Sequence, residues 1–97
     1  MFQSYDVHVV VEAVKLARIQ FAVEKWACSN LNHYFEGNTA HLYGKVTFAT
    51  EHSATEAHRA LEELVQRIEP TARVHTRWRE PGGIEEFGAT GAEYGVT

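Results

Sequence analysis

At 97 residues the chain is the size of one domain that folds without disulfide or metal staples. Its hydrophobic fraction of 44% is ordinary for a globular protein, and no run approaches the roughly 18 apolar residues of a membrane-spanning helix. The net charge of −4 is set at one end: Glu80, Glu85, Glu86 and Glu93 follow Arg79, with no Lys or Arg among them, and the preceding body is balanced. A neutral body argues against non-specific nucleic-acid binding, which needs a basic surface to release counterions from phosphates.

Met1 to Asp6 has neither the basic start nor the small-residue cleavage site of a secretory signal. Cys28 is the single cysteine, so no intramolecular disulfide can form, in keeping with a reducing compartment. The expected location is the cytoplasm. With no His nearby in sequence, Cys28 itself is expected to be a small buried hydrophobe.

In chain order, Tyr5, Val7, Val9 and Val11 alternate with Asp6, His8, Val10 and Glu12, which predicts a β-branched strand. Residues 13–30 read two ways. As a helix they align Leu16, Ile19, Val23 and Trp26, but Val14, Ala17 and Phe21 fall on a second stripe. As a strand, Ala17, Ile19, Phe21 and Val23 alternate with Arg18, Gln20, Ala22 and Glu24. No Gly, Pro, Asn, Asp or Ser occurs between Asp6 and Ser29 to turn a second hairpin, so a helix is predicted.

A hairpin follows. Pairing Leu31 to Glu36 with Thr39 to Phe48 around Gly37-Asn38 gathers Leu31, His33, Phe35, Ala40, Leu42, Val46 and Phe48 on one face. Asn32, Tyr34, His41, Tyr43, Lys45 and Thr47 take the other. A helix is predicted from Ser53 to Ile68: Ser53-Ala54-Thr55-Glu56 is a capping-box pattern, and Ala57, Ala60, Leu61, Leu64, Val65 and Ile68 form one stripe. Pro70 stops it. Ala72, Val74, Thr76 and Trp78 then alternate with Arg73, His75, Arg77 and Arg79 in a half-buried strand.

The resulting order is strand, helix, strand, strand, helix, strand, the α+β ferredoxin-like arrangement of an antiparallel sheet with two helices on one face. Residues 1–80 are expected to form this single domain. The glycine-rich, acidic segment 81–97 is expected to be a flexible tail with anchors at Phe87 and Tyr94. Docking of that segment on the arginine strand is the alternative, favoured by its carboxylates.

Asn38-Thr39-Ala40-His41-Leu42-Tyr43-Gly44-Lys45-Val46, followed by a helix and a strand, resembles the hairpin of BON domains. The resemblance rests on Leu42, Gly44 and Val46 and spans about half the chain. It implies association with membranes or other proteins, although the secretory context usual for that family is missing.

Six histidines raise the question of a metal, but none stand at i, i+4 on one helix and His52 and His58 are six apart, so no local bidentate site is formed. Glu62-Glu63 and Glu85-Glu86 are paired carboxylates in sequence only; adjacent helical residues diverge by about 100°. Pro81-Gly82-Gly83 has no Lys and leads into no helix, unlike a phosphate loop. No metal and no cofactor are expected. A non-enzymatic role is favoured, with a small cofactor-free ferredoxin-like dimeric enzyme as the alternative.

The helix-free sheet face is the expected functional surface. Tyr34, His41, Tyr43, Lys45, Arg73, His75 and Arg77 collect flat amphipathic and basic side chains on a rigid support. Such a surface suits an adaptor-like or inhibitor-like domain that binds a protein partner or a second copy of the chain. Stacking of unpaired bases on the same aromatics is the competing reading, weakened by the charge balance and by the absence of a ribonucleoprotein motif in Lys45-Val46-Thr47-Phe48.

Overall fold

The computed structural model describes residues 2–49, 54–80 and 83–87, with side chains at 4–46 and 55–78. Strand β1 (Phe2–Glu12) leads through one 3₁₀ turn (Ala13–Lys15) into helix α1 (Leu16–Ala27). Strands β2 (Asn32–Glu36) and β3 (Thr39–Ala49) form the hairpin; helix α2 (Ala54–Ile68), β4 (Arg73–Glu80) and β5 (Gly83–Phe87) follow. The strands make one antiparallel sheet in the order β2-β3-β1-β4-β5.

The register decides what the core contains. Val9 lies between Leu42 and Val74, and Tyr5 between Val46 and Trp78. Alternate residues of three strands therefore share one face, and the helices cover it. Tyr5 and Trp78 stack with ring centroids 4.2 Å apart and planes 17° apart. Thr76 is a polar member of this face; it is fully buried and its Oγ1 lies 3.0 Å from His58 Nδ1 on α2.

The helical reading of residues 13–30 holds. Leu16, Ile19, Val23 and Ala27 are buried, whereas the rival stripe points to solvent, Val14 at 77% and Phe21 at 68% exposure. The helix ends at Cys28, which takes the left-handed conformation (φ 51°, ψ 40°) and donates its N–H to Glu24 O. Cys28 is exposed. The expectation of a buried hydrophobe is corrected: the residue turns the chain at the helix C-cap, outside the core.

Glu24 then fixes the start of the hairpin. Its Oε2 accepts the Leu31 N–H at 2.7 Å and Gln20 Nε2 at 3.2 Å, while Gln20 Nε2 also donates to Leu31 O at 3.1 Å. Both backbone groups of Leu31 are thereby held by α1. The turn has Gly37 at φ +62° and Asn38 without a positive φ, the pattern of a II′ hairpin.

Leu31, Ala40, Leu42 and Val46 are buried as their alternation predicts, but Phe35 is 58% exposed and His33 is also exposed. This corrects the assignment of those two residues to the packed face. Helix α1 packs over β3 and against α2 more than over the edge strand β2, and the Phe35 ring meets the His33 ring edge-on at 5.6 Å. The Phe48 side chain lies outside those described.

In α2, Ala57, Leu61 and Val65 are buried and Leu64 and Ile68 partly so, while Ala60 is exposed. Ser53, the expected cap, lies outside the described residues. Beyond the helix, Glu69 Oε1 accepts from Thr71 Oγ1 at 2.9 Å and from Thr71 N at 3.3 Å, which holds its carboxyl below the usual range. Gln66 Nε2 donates to Ala72 O, bringing the chain back into β4.

Within the segment 81–97 expected to be a flexible tail, 88–97 lie outside the described residues, while residues 83–87 instead follow the alternative and dock on the arginine strand. They form β5 against β4, with Glu86 opposite Arg77, Glu85 opposite Trp78 and Phe87 opposite Thr76. Four residues, Ile84 to Phe87, are too short a run to outweigh the surrounding glycines in a compositional reading, but β4 offers them a ready edge. Tyr94 lies outside the described residues. Among the described residues, no helix is long and apolar enough to cross a membrane.

Candidate functional site

The face opposite the helices is built by the other set of alternate residues. On it, His8 lies between Tyr43 and His75, Val10 between His41 and Arg73, and Asp6 between Lys45 and Arg77. Tyr34 is opposite His41 and Asn32 opposite Tyr43. The sequence-predicted residues Tyr34, His41, Tyr43, Lys45, Arg73, His75 and Arg77 are thus brought onto one surface.

They do not contribute to it equally. Tyr34 and Tyr43 are 43% and 41% exposed and Lys45 and Arg73 are open to solvent, whereas His41 and His75 are buried and Arg77 is half-buried. His41 and His75 are therefore withdrawn from the set of surface contacts and become its support. His41 is covered because the Tyr34 ring lies flat upon it, centroids 4.4 Å apart and planes within 3°. Tyr43 meets Tyr34 edge-on at 5.8 Å.

Beneath the tyrosines runs a chain of hydrogen bonds through Glu36, His41 and His8. His41 Nε2 lies 3.3 Å from Glu36 Oε1 and its Nδ1 lies 2.8 Å from His8 Nε2. A carboxylate only accepts, so His41 presents Nε2–H to Glu36. Between His41 Nδ1 and His8 Nε2 one ring nitrogen donates and the other accepts, the direction depending on the tautomer. Burial, followed by the neighbouring His41 and His75, lowers the His8 pKa to about 4. His8 is neutral at physiological pH, and the arrangement holds His41 in a fixed plane under Tyr34.

This geometry is that of a preorganised support. Among the described residues, no three His, Cys, Asp or Glu groups converge on a point that could hold a metal ion. The exposed Cys28 thiol donates to the Lys25 carbonyl at 3.8 Å. The electrostatics are mixed, with Asp6 placed in register between two cations.

Sequence reasoning missed the buried His58. Its ring bonds Thr76 on one side and lies 3.5 Å from Glu62 Oε2 on the other; burial lowers its pKa and Glu62 opposes that shift. A threonine in the apolar set of β4 requires a polar partner, and His58 adjoins the α2 stripe at Ala57, which was the available signal. The Glu36–His41 contact was legible in the same way, since Tyr34 and His41 pair across the hairpin and Glu36 lies on the same face.

No known family model matches the chain, and no curated protein matches it. The fold is similar to that in a crystal structure of an unknown protein from Galdieria sulphuraria, with a TM-score of 0.58 and 14% identity. The similarity covers 86% of this chain and 48% of that one, so this chain spans about half the length of its structural neighbour. At this identity the likeness concerns the fold alone.

Proposed function

We propose that the chain is a small interaction domain that binds a protein partner through the helix-free sheet face, with Tyr34, Tyr43, Lys45 and Arg73 making contact. The observation that carries this reading is the Tyr34 ring, 43% exposed yet stacked on the buried His41, which is itself hydrogen-bonded to Glu36 and His8. A large aromatic held in one orientation loses little conformational freedom on binding, and Tyr buries wide area while keeping a hydrogen-bonding hydroxyl. Mixed charge around it, from Lys45 and Arg73 against Asp6 and Glu36, suits the polar rim of a protein interface better than the uniformly basic track that nucleic acid requires.

The reading includes a ferredoxin-like topology to which β5 is added at one edge. The order β2-β3-β1-β4 with all-antiparallel pairing supports it. A cytoplasmic, non-enzymatic, cofactor-free role belongs to the same proposal.

The test is affinity capture with the chain and its Tyr34→Ala/Tyr43→Ala variant as baits. The expected result is loss of the captured protein at unchanged fold; equal capture by both baits, or salt-sensitive capture of single-stranded nucleic acid in place of protein, would refute the reading.

A further inference from the structure

The hairpin fixes which backbone groups of β2 point outward. Gly37-Asn38 is a two-residue turn, so Glu36 and Thr39 exchange backbone hydrogen bonds, and alternation makes Tyr34 with His41 and Asn32 with Tyr43 the next such pairs. The N–H and C=O of His33 and Phe35 therefore point away from β3, on the side where no further strand is present among the described residues. All five residues of β2 are exposed. Proteins usually guard such an edge with Lys, Pro or a bulge. Here Asn32-His33-Tyr34-Phe35-Glu36 has neither Lys nor Pro, its one carboxylate, Glu36, stands at the turn end bound to His41, and its five consecutive register pairs leave no bulge. The opposite edge, β5, differs: Glu85 and Glu86 adjoin there, and self-pairing would oppose carboxylates.

We infer that a second copy of this chain pairs with β2, antiparallel about a two-fold axis at Tyr34, joining two five-stranded sheets into one. His33 then faces the partner's Phe35 and exchanges both backbone hydrogen bonds with it, and the symmetric pair repeats this, which satisfies the outward groups of both strands. The aromatic rings already in edge contact within one strand continue across the junction. Tyr34 meets its own copy at a non-hydrogen-bonded position, where Cα atoms approach to about 4.5 Å. The Asn32 amide faces the partner's Glu36 carboxylate, so no like charges are opposed. Centring the axis on His33 or Phe35 instead would draw Leu31 or Gly37 into the pairing and leave β2 partly unmatched. The inference does not depend on the sheet-face reading, since it uses the edge backbone.

Cross-linking tests the register directly. In a Cys28→Ser background, Tyr34→Cys is expected to oxidise to a disulfide-linked dimer, because the paired Cα separation suits a disulfide. Glu36→Cys in the same background is expected to remain unlinked, its symmetry mates being about 14 Å apart along the strands. Light scattering on the wild type is expected to give twice the 11.0 kDa chain mass, and His33→Lys/Phe35→Lys is expected to halve it with an unchanged circular dichroism spectrum. A wild type that stays at 11.0 kDa at its highest soluble concentration overturns the inference, as does a dimer that survives the double lysine variant or one that links through Glu36→Cys and not Tyr34→Cys. Should the lysine variant fail to fold, the cysteine pair still decides.

Discussion

His8 is held neutral by burial and by two neighbouring histidines, and that sets a pH dependence of stability. With a folded pKa of about 4 against 6.5 when unfolded, the unfolded chain binds more protons throughout that interval. The contribution is complete above about pH 6.5 and is lost as pH falls toward 4; for a partly exposed ring it is on the order of 1 kcal/mol after solvent screening. His58, lowered by burial, acts with the same sign. Urea unfolding at pH 7 and pH 5 is expected to show weakening at the lower pH, and His8→Gln is expected to reduce that difference; an unchanged difference would remove His8 from the account. Gly44 is constrained in another way. At φ +156° an added Cβ would come within 2.7 Å of Leu31 Cδ2 and 3.5 Å of the Leu31 Cα, so Gly44→Ala is expected to cost about 1–3 kcal/mol in the same assay.

The α1–β2 connection rests on one carboxylate. Glu24 accepts the Leu31 N–H and orients Gln20, which donates to the Leu31 carbonyl. Glu24→Ala is expected to destabilise the fold by about 1–3 kcal/mol, because it strands a half-buried amide, and to increase amide exchange at Leu31 before that of β1. At the same connection, Cys28→Gly is expected to raise stability by about 0.5–1 kcal/mol, since glycine adopts the left-handed cap without a Cβ penalty. Much of this level was legible in the chain: the turn at Gly37-Asn38 set the pairing of Tyr34 with His41, and one strong stripe set α2. The rest was not, for physical reasons. Whether Phe35 is packed depends on where α1 crosses the sheet, which alternation within a strand does not encode. Cys28 in a left-handed cap has no compositional mark. His41 disappears from the surface only because the chain itself folds a tyrosine over it, a cross-strand event that a list of exposed-face residues overlooks.

Among the described residues, two helices cover one sheet face, and the other carries a histidine–glutamate network topped by tyrosines. The proposed division of labour is a packed side that supplies stability and a helix-free side that supplies binding, with an exposed edge at β2 for a second copy. Such a division predicts that changes at Tyr34 and Tyr43 affect association far more than folding: about 0.5–1 kcal/mol of stability for each truncation, from lost stacking and cross-strand contact. Phe21, exposed on α1 and distant from this face, provides the control. The measurement that addresses the central claim most directly is quantitative capture of partner proteins by three matched baits, the wild type, Tyr34→Ala/Tyr43→Ala and Phe21→Ala. Loss of a bound protein from the tyrosine variant, with its retention by the Phe21 variant and cooperative unfolding of all three, is the predicted result; equal retention by all three, or loss from the Phe21 variant alone, would contradict it.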